Sequence, residues 1–63
     1  SVALYNRSGY THFKKGMFND AIFEYRNALK IDPKYSKTLY NLAFSFLIKG
    51  SHLDIALRDN KKY

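Results

Sequence analysis

The stretch GMFNDAIFEYRNALKIDP, Gly16 to Pro33, sets two alanines, Ala21 and Ala28, seven residues apart among Phe18, Ile22, Tyr25, Leu29 and Ile31. Apolar residues recur here at the spacing of one helix face. A face that needed only buried area would carry leucine at both alanines, since each buried methylene contributes about 0.8 kcal/mol. Two minimal side chains on a buried stripe therefore imply that something packs very close at those points.

Breakers divide the rest of the chain around this segment: Gly16, the pair Asp32-Pro33, and Gly50. Strand alternation is weak. The pattern predicts an all-α chain of four helices, at about residues 2–15, 19–31, 36–49 and 53–62. Asn19 or Asp20 is expected to cap the second helix and Ser36 the third, because their side-chain oxygens accept from unpaired backbone N–H groups. Pro33 biases Asp32 away from helical angles and closes the second helix.

With 63 residues the chain is one small domain at most, a size that is marginal without staples or partners. It has no cysteine, so disulfides and cysteine zinc sites are excluded, and a reducing, cytoplasmic setting is the expectation. The longest apolar run, Leu42 to Ile48, is broken by Ser45 and is too short to span a bilayer, so no membrane is implicated. Without a signal-like segment after Ser1, the chain reads as a soluble piece of a longer protein. Eleven Lys and Arg against five acids give a charge of +6, which favours acidic partners. The cations are scattered and no run exceeds two, as on a solvated helix face.

The chain also repeats itself. A shift of 34 places Tyr5 on Leu39, Gly9 on Ala43, His12 on Phe46, Phe13 on Leu47, Lys15 on Lys49 and Gly16 on Gly50. With one further residue, Phe18 meets Leu53, Ala21 meets Ala56 and Ile22 meets Leu57. One stripe of the first helix holds Tyr5, Ser8, Gly9 and His12, and the matching stripe of the third holds Leu39, Leu42, Ala43 and Phe46. These stripes are the expected packing faces.

A two-helix period of this length, with Tyr5, Ser8-Gly9, His12, Ala21, Tyr25, Ala28 and Pro33 at its signature places, resembles the tetratricopeptide repeat family. The resemblance covers nearly the whole chain. It implies stacked antiparallel helical hairpins, an α-solenoid fragment, with a first repeat over 1–35 and a second, incomplete one over 36–63. Asn60 and Tyr63 stand where that second repeat should have an aromatic and an alanine.

Nothing in the sequence assembles a catalytic centre. The imidazoles, His12 and His52, lie on different segments, the acids are dispersed, and Gly9, Gly16 and Gly50 are isolated rather than forming a phosphate loop. No helix carries metal-ligand spacing. His12 takes a family aromatic position and is assigned to packing, His52 to a surface turn. The sequence argues against an enzyme and calls for no cofactor.

What the resemblance implies instead is a concave groove that binds a partner peptide or helix. Its positions would be Ala3, Asn6, Arg7, Tyr10, Phe13 and Lys14 in the first repeat, and Lys37, Tyr40, Asn41, Phe44, Leu47 and Ile48 in the second. Tyr10, Tyr40 and Phe44 are the candidate anchors, because aromatic residues carry most interface energy. Arg7, Lys37 and Asn41 are the candidate hooks for a protein partner with acidic residues. Leu47 and Ile48 are assigned to packing. The family's carboxylate clamp for chaperone tails is incomplete in every register: where Asn41 fits, Asn6 and Tyr10 replace the Lys and Asn it needs.

Two other readings remain in view. Repeats of this type need about three copies for stability, so exposed ends are expected to pair, giving a structural, self-associating segment. Basic charge with interleaved aromatics also suits nucleic acid, but the cations form no stripe, which disfavours it.

Overall fold

A computed structural model describes residues 1–51. The expected fourth helix and His52 lie outside the described residues. Within them the chain is all-α, with three helices: α1 (Val2–Lys14), α2 (Phe18–Ile31) and α3 (Ser36–Lys49). α2 contacts both neighbours along its length, while α1 and α3 touch each other sparingly. The bounds agree with the sequence reading to within one residue.

Local chemistry accounts for each junction, and twice it differs from expectation. Ser1 caps α1, its hydroxyl accepting from Leu4 N at 3.3 Å. At the far end, Met17 N donates to His12 O and Gly16 N to Phe13 O, both at 2.9 Å. That double bond pattern ties off the last carbonyls of α1 and requires a left-handed residue between them. Gly16 supplies it, with φ 76°. This turn delivers the chain so that Met17 takes the cap position of α2 without a side-chain hydrogen bond.

Asn19 and Asp20 therefore lie inside α2 rather than capping it. Asp20 sits in the first turn, where its charge favours the positive end of the helix dipole. Asn19 Oδ1 accepts from Lys49 Nζ, joining the start of α2 to the end of α3.

The second junction follows Pro33. Asp32 is extended, φ −138° and ψ 95°, as a residue before proline must be. Its carboxylate accepts from Lys34 N at 3.0 Å, and Tyr35 N closes the turn onto Asp32 O at 3.2 Å. The turn is thus held from Asp32, and Tyr35, not Ser36, occupies the cap of α3, again without a side-chain bond. Gly50, the sequence counterpart of Gly16, ends α3 at φ −94°, outside the left-handed region.

The core is built on α2. Phe18, Ala21, Ile22, Tyr25 and Ala28 are buried, with Ala21, Tyr25 and Ala28 fully so. Opposite them lies Gly9, the buried residue of α1. A Cβ built on Gly9 would sit 2.6 Å from Tyr25 Cδ1 and closer still to Cε1. The Tyr25 ring lies against the bare backbone of α1, a contact that any side chain at residue 9 would prevent. His12 is half-buried, in line with packing, and its Nδ1 donates to the Ser8 carbonyl at 2.9 Å, which fixes the proton on that nitrogen.

α3 turns to the other described helices a face different from the stripe Leu39, Leu42, Ala43 and Phe46, whose expected partner, the fourth helix, lies outside the described residues. Its buried residues are Thr38, Ser45 and Ile48, whereas Leu39 is 45% exposed, Phe46 48% and Ala43 also exposed. Leu42 is half-buried. Leu47, assigned to packing against a further repeat or a second copy, is 69% exposed, while Ile48 is buried within the chain itself. Small side chains at Thr38 and Ser45, seven residues apart like Ala21 and Ala28, let α3 lie near the other described helices.

Gly9→Ala should lower stability by about 1–3 kcal/mol, because the added Cβ would overlap the buried Tyr25 ring and force it to shift, and Ala21→Leu by a similar amount. Thermal melts of both variants measure this; an unchanged or raised melting temperature would refute the close approach.

Candidate functional site

α1 and α3 run side by side over α2 and leave a trench whose walls follow from helix periodicity. Arg7, Tyr10, Phe13 and Lys14 recur on α1 at steps of three and four, as do Lys37, Tyr40, Asn41, Phe44 and Ile48 on α3, so each set shares one side of its helix. Part of the trench is a cavity of about 380 Å³ lined by Tyr10, Phe13, Lys14, Tyr40, Asn41, Phe44 and Ile48, with Phe18 and Tyr25 of α2 contributing. Next to it is a wider cleft of about 650 Å³, lined by Asn6, Arg7, Tyr10, Ser36, Lys37, Tyr40 and Asn41. Tyr10, Tyr40 and Asn41 belong to both. All six sequence-predicted residues, Arg7, Tyr10, Lys37, Tyr40, Asn41 and Phe44, are brought to this trench.

The rings form a continuous wall. Tyr10 stacks parallel to Phe13 at 6.4 Å between centroids, Phe13 meets Phe44 at 5.6 Å, and Phe44 stacks on Tyr40 at 6.1 Å. Phe13 also sets its edge against Phe18 at 5.4 Å, which anchors the wall to the core. Lys14 Nζ lies 5.0 Å from the centre of the Tyr10 ring, a cation–π distance. Tyr10, Tyr40 and Phe44 are exposed. Among the described residues no carboxylate lines either cavity; the charged lining groups are Arg7, Lys14 and Lys37.

Three features of the site escaped the sequence reading. Phe18 and Tyr25 read as pure core, yet they also line the cavity. The second is a polar clasp. Asn6 Oδ1 accepts from the buried Thr38 hydroxyl at 2.8 Å and from Asn41 Nδ2 at 3.2 Å, so both asparagines help to hold α1 to α3. The sequence signal for Thr38 was a small polar residue on an otherwise apolar helix. Third, Ser45 satisfies its own buried hydroxyl by donating to Asn41 O at 2.8 Å, the local bond that lets serine sit inside a helix bundle.

Tyr25 is less well provided. Its hydroxyl is buried and lacks a hydrogen bond of good geometry. Burial pushes its pKa up from 10.0 to about 12, the neighbouring Ser45 hydroxyl lowers it somewhat, and Tyr10 raises it. Neutral Tyr25 is thus the form that folding favours. On the other flank of α2, Glu24 accepts from Ser8 Oγ at 2.8 Å and from Asn27 Nδ2 at 3.4 Å.

Among the described residues no group of three or more His, Cys, Asp or Glu side chains could hold a metal ion, and no helix is long and apolar enough to cross a membrane. The arrangement offers apolar burial, ring faces and positive charge.

A family model of the TPR repeat, the tetratricopeptide repeat, matches residues 9–50. The chain belongs to the tetratricopeptide repeat family. The family is a repeat module, typically non-catalytic, whose general role is protein–protein interaction, and no enzyme family matches. No curated protein and no solved structure matches the chain.

Two deletions of a polar group should have opposite outcomes. Asn6→Ala leaves the Thr38 hydroxyl buried without its acceptor and should cost about 1–3 kcal/mol, whereas Tyr25→Phe removes an unpaired buried group and should leave stability unchanged or raise it. Denaturant titrations separate the two.

The Tyr25 shift also sets a pH dependence. Since the folded pKa, about 12, lies above the ordinary tyrosine value of 10.0, the associated stability is full below pH 10 and lost as pH rises towards 12. Alkaline unfolding of Tyr25→Phe should begin at higher pH than that of the parent; coincident curves would refute the assignment.

Proposed function

We propose that the chain is a protein-interaction module that takes a segment of a partner protein in the trench between α1 and α3. The observation that carries this reading is the four-ring wall Tyr10–Phe13–Phe44–Tyr40 beside a cavity of about 380 Å³. That volume is in the range of ordinary ligand pockets, and three of the rings are exposed. Tyr10, Tyr40 and Phe44 act as anchors, with Arg7 and Lys37 as charged hooks. Asn41 serves with the hydrogen-bonding capacity left after its bond to Asn6. Cations without carboxylates among the described residues of the trench favour a partner with acidic residues.

The same reading extends to the organisation of the chain. We assign residues 1–35 to a first repeat and 36–63 to a second, with residues 53–62 as a fourth helix seated on Leu39, Ala43 and Phe46. Internal complementarity supports it. Gly9 meets the Tyr25 ring in the first repeat, while the matching places of the second hold Ala43 and Asn60. A Cβ appears on one side where the ring is replaced by a smaller side chain on the other. If that face is instead free to pair, two copies of the chain would associate through it, and sedimentation over a concentration series distinguishes the two arrangements.

Two measurements test these assignments. Peptides selected from a random display library on the parent chain should bind at least about tenfold more weakly to Tyr40→Ala or Phe44→Ala, as for hot-spot anchors; unchanged affinity would remove the trench from consideration. Phe46→Ser should cost about 3 kcal/mol or more if residues 53–62 cover it. A change within about 0.5 kcal/mol would mean that Phe46 is a surface residue.

A further inference from the structure

The trench differs in character along its length, and that difference specifies the partner segment more closely. We propose, resting on the trench as the binding site, that the occupant is a segment in polyproline II conformation with an acidic side chain at position i and an aromatic or long aliphatic one three positions away.

Three tiers of residues line the trench. Arg7 and Lys37 flank the wider cleft, Tyr10 and Tyr40 are shared by both cavities, and Phe13 and Phe44 wall the apolar one. Arg7 and Phe13 are six residues apart on α1, Lys37 and Phe44 seven on α3. At a helical rise of 1.5 Å per residue, the basic and apolar tiers are separated by about 9–10.5 Å.

A bound chain must place two same-facing side chains across that distance. In a β-strand same-facing residues stand two or four apart, about 6.7 or 13 Å, and neither fits. In polyproline II residues three apart share a face at about 9.3 Å, which does. An α-helix meets the distance only with residues about seven apart.

The walls decide between the last two. Tyr10 lies parallel to Phe13, interplanar angle 5°, and Tyr40 nearly parallel to Phe44, 14°. Such ring-lined grooves suit the ridged faces of a polyproline II segment. Its backbone, unlike a helix's, has no internal hydrogen bonds and needs polar neighbours; Tyr10, Tyr40 and Asn41 line the middle tier. Charge fixes the other end. Among the described residues Arg7 and Lys37 share the cleft with no carboxylate, so an acid is drawn there, whereas a trimethyl-lysine or choline-like cation, which also favours aromatic boxes, is repelled.

The test uses the full chain and dye-labelled synthetic proline–serine peptides, each with one Phe and one Glu at offsets of two, three, four or seven, in both orders. An alanine-rich helical peptide with offset seven and a trimethyl-lysine peptide complete the set. Binding is read by fluorescence polarisation.

The offset-three peptide in one order should bind tightest, and moving the Glu should weaken binding about threefold to tenfold. The Arg7→Glu, Lys37→Glu double variant should lose this preference and regain it for the peptide with Lys in place of Glu. Tightest binding by the helical or trimethyl-lysine peptide would overturn the proposal. So would affinity independent of Glu position, although with Phe44→Ala still weakening every peptide the trench itself would stand. If Phe44→Ala weakens none, the trench reading falls with it.

Discussion

The contact between Gly9 and Tyr25 governs the rest of the described structure. A ring pressed against bare backbone brings α1 closer to α2 than any side chain at residue 9 would permit. Tyr25 is fully buried as a result, and its hydroxyl is carried inside with it, unpaired. The fold thus keeps a poorly satisfied polar group as a consequence of its closest packing. The neighbouring features follow the same constraint: Ala21 and Ala28 are fully buried, and the Gly16 turn returns the chain directly into α2.

α3 is held by a different device. Where α1 and α2 join through glycine, alanine and an aromatic ring, α1 and α3 join through the acceptor oxygen of Asn6, which receives both Thr38 and Asn41. A polar clasp of this kind specifies register, because a shift of α3 would strand the buried Thr38 hydroxyl. It also spaces the two helices so that their aromatic faces meet above α2 rather than collapse onto it. The trench therefore depends on a hydrogen-bonded floor and a ring-to-ring wall, with Phe13 against Phe18 linking wall to core.

Much of this was legible in sequence. Helix bounds followed from Gly16, Asp32-Pro33 and Gly50, and the alanine pair announced close packing. The groove residues could be placed because the repeat fixes which helix positions face the same way, and all six came together in the trench. The caps were not legible. Asn19, Asp20 and Ser36 have good capping chemistry, but the Gly16 turn and the Asp32 turn had already set where each helix starts. Nor were Thr38 and Ser45 singled out as the residues that bring α3 against the other described helices, because helix approach is limited by volume before it is driven by area.

Sequence by itself determined the elements of this protein: which segments are helical, where they break, the spacing of the repeat and the scatter of positive charge. Those properties reside in local backbone preferences and in periodicity, which a chain carries before it folds. Only the tertiary structure decided that Asn6 and Asn41 bond to each other, that Tyr25 serves both core and cavity, and that four rings from two helices make one wall. Each of these depends on the distance between residues on different helices, far apart in sequence, and that distance is set by how closely Gly9, Thr38 and Ser45 allow the helices to come.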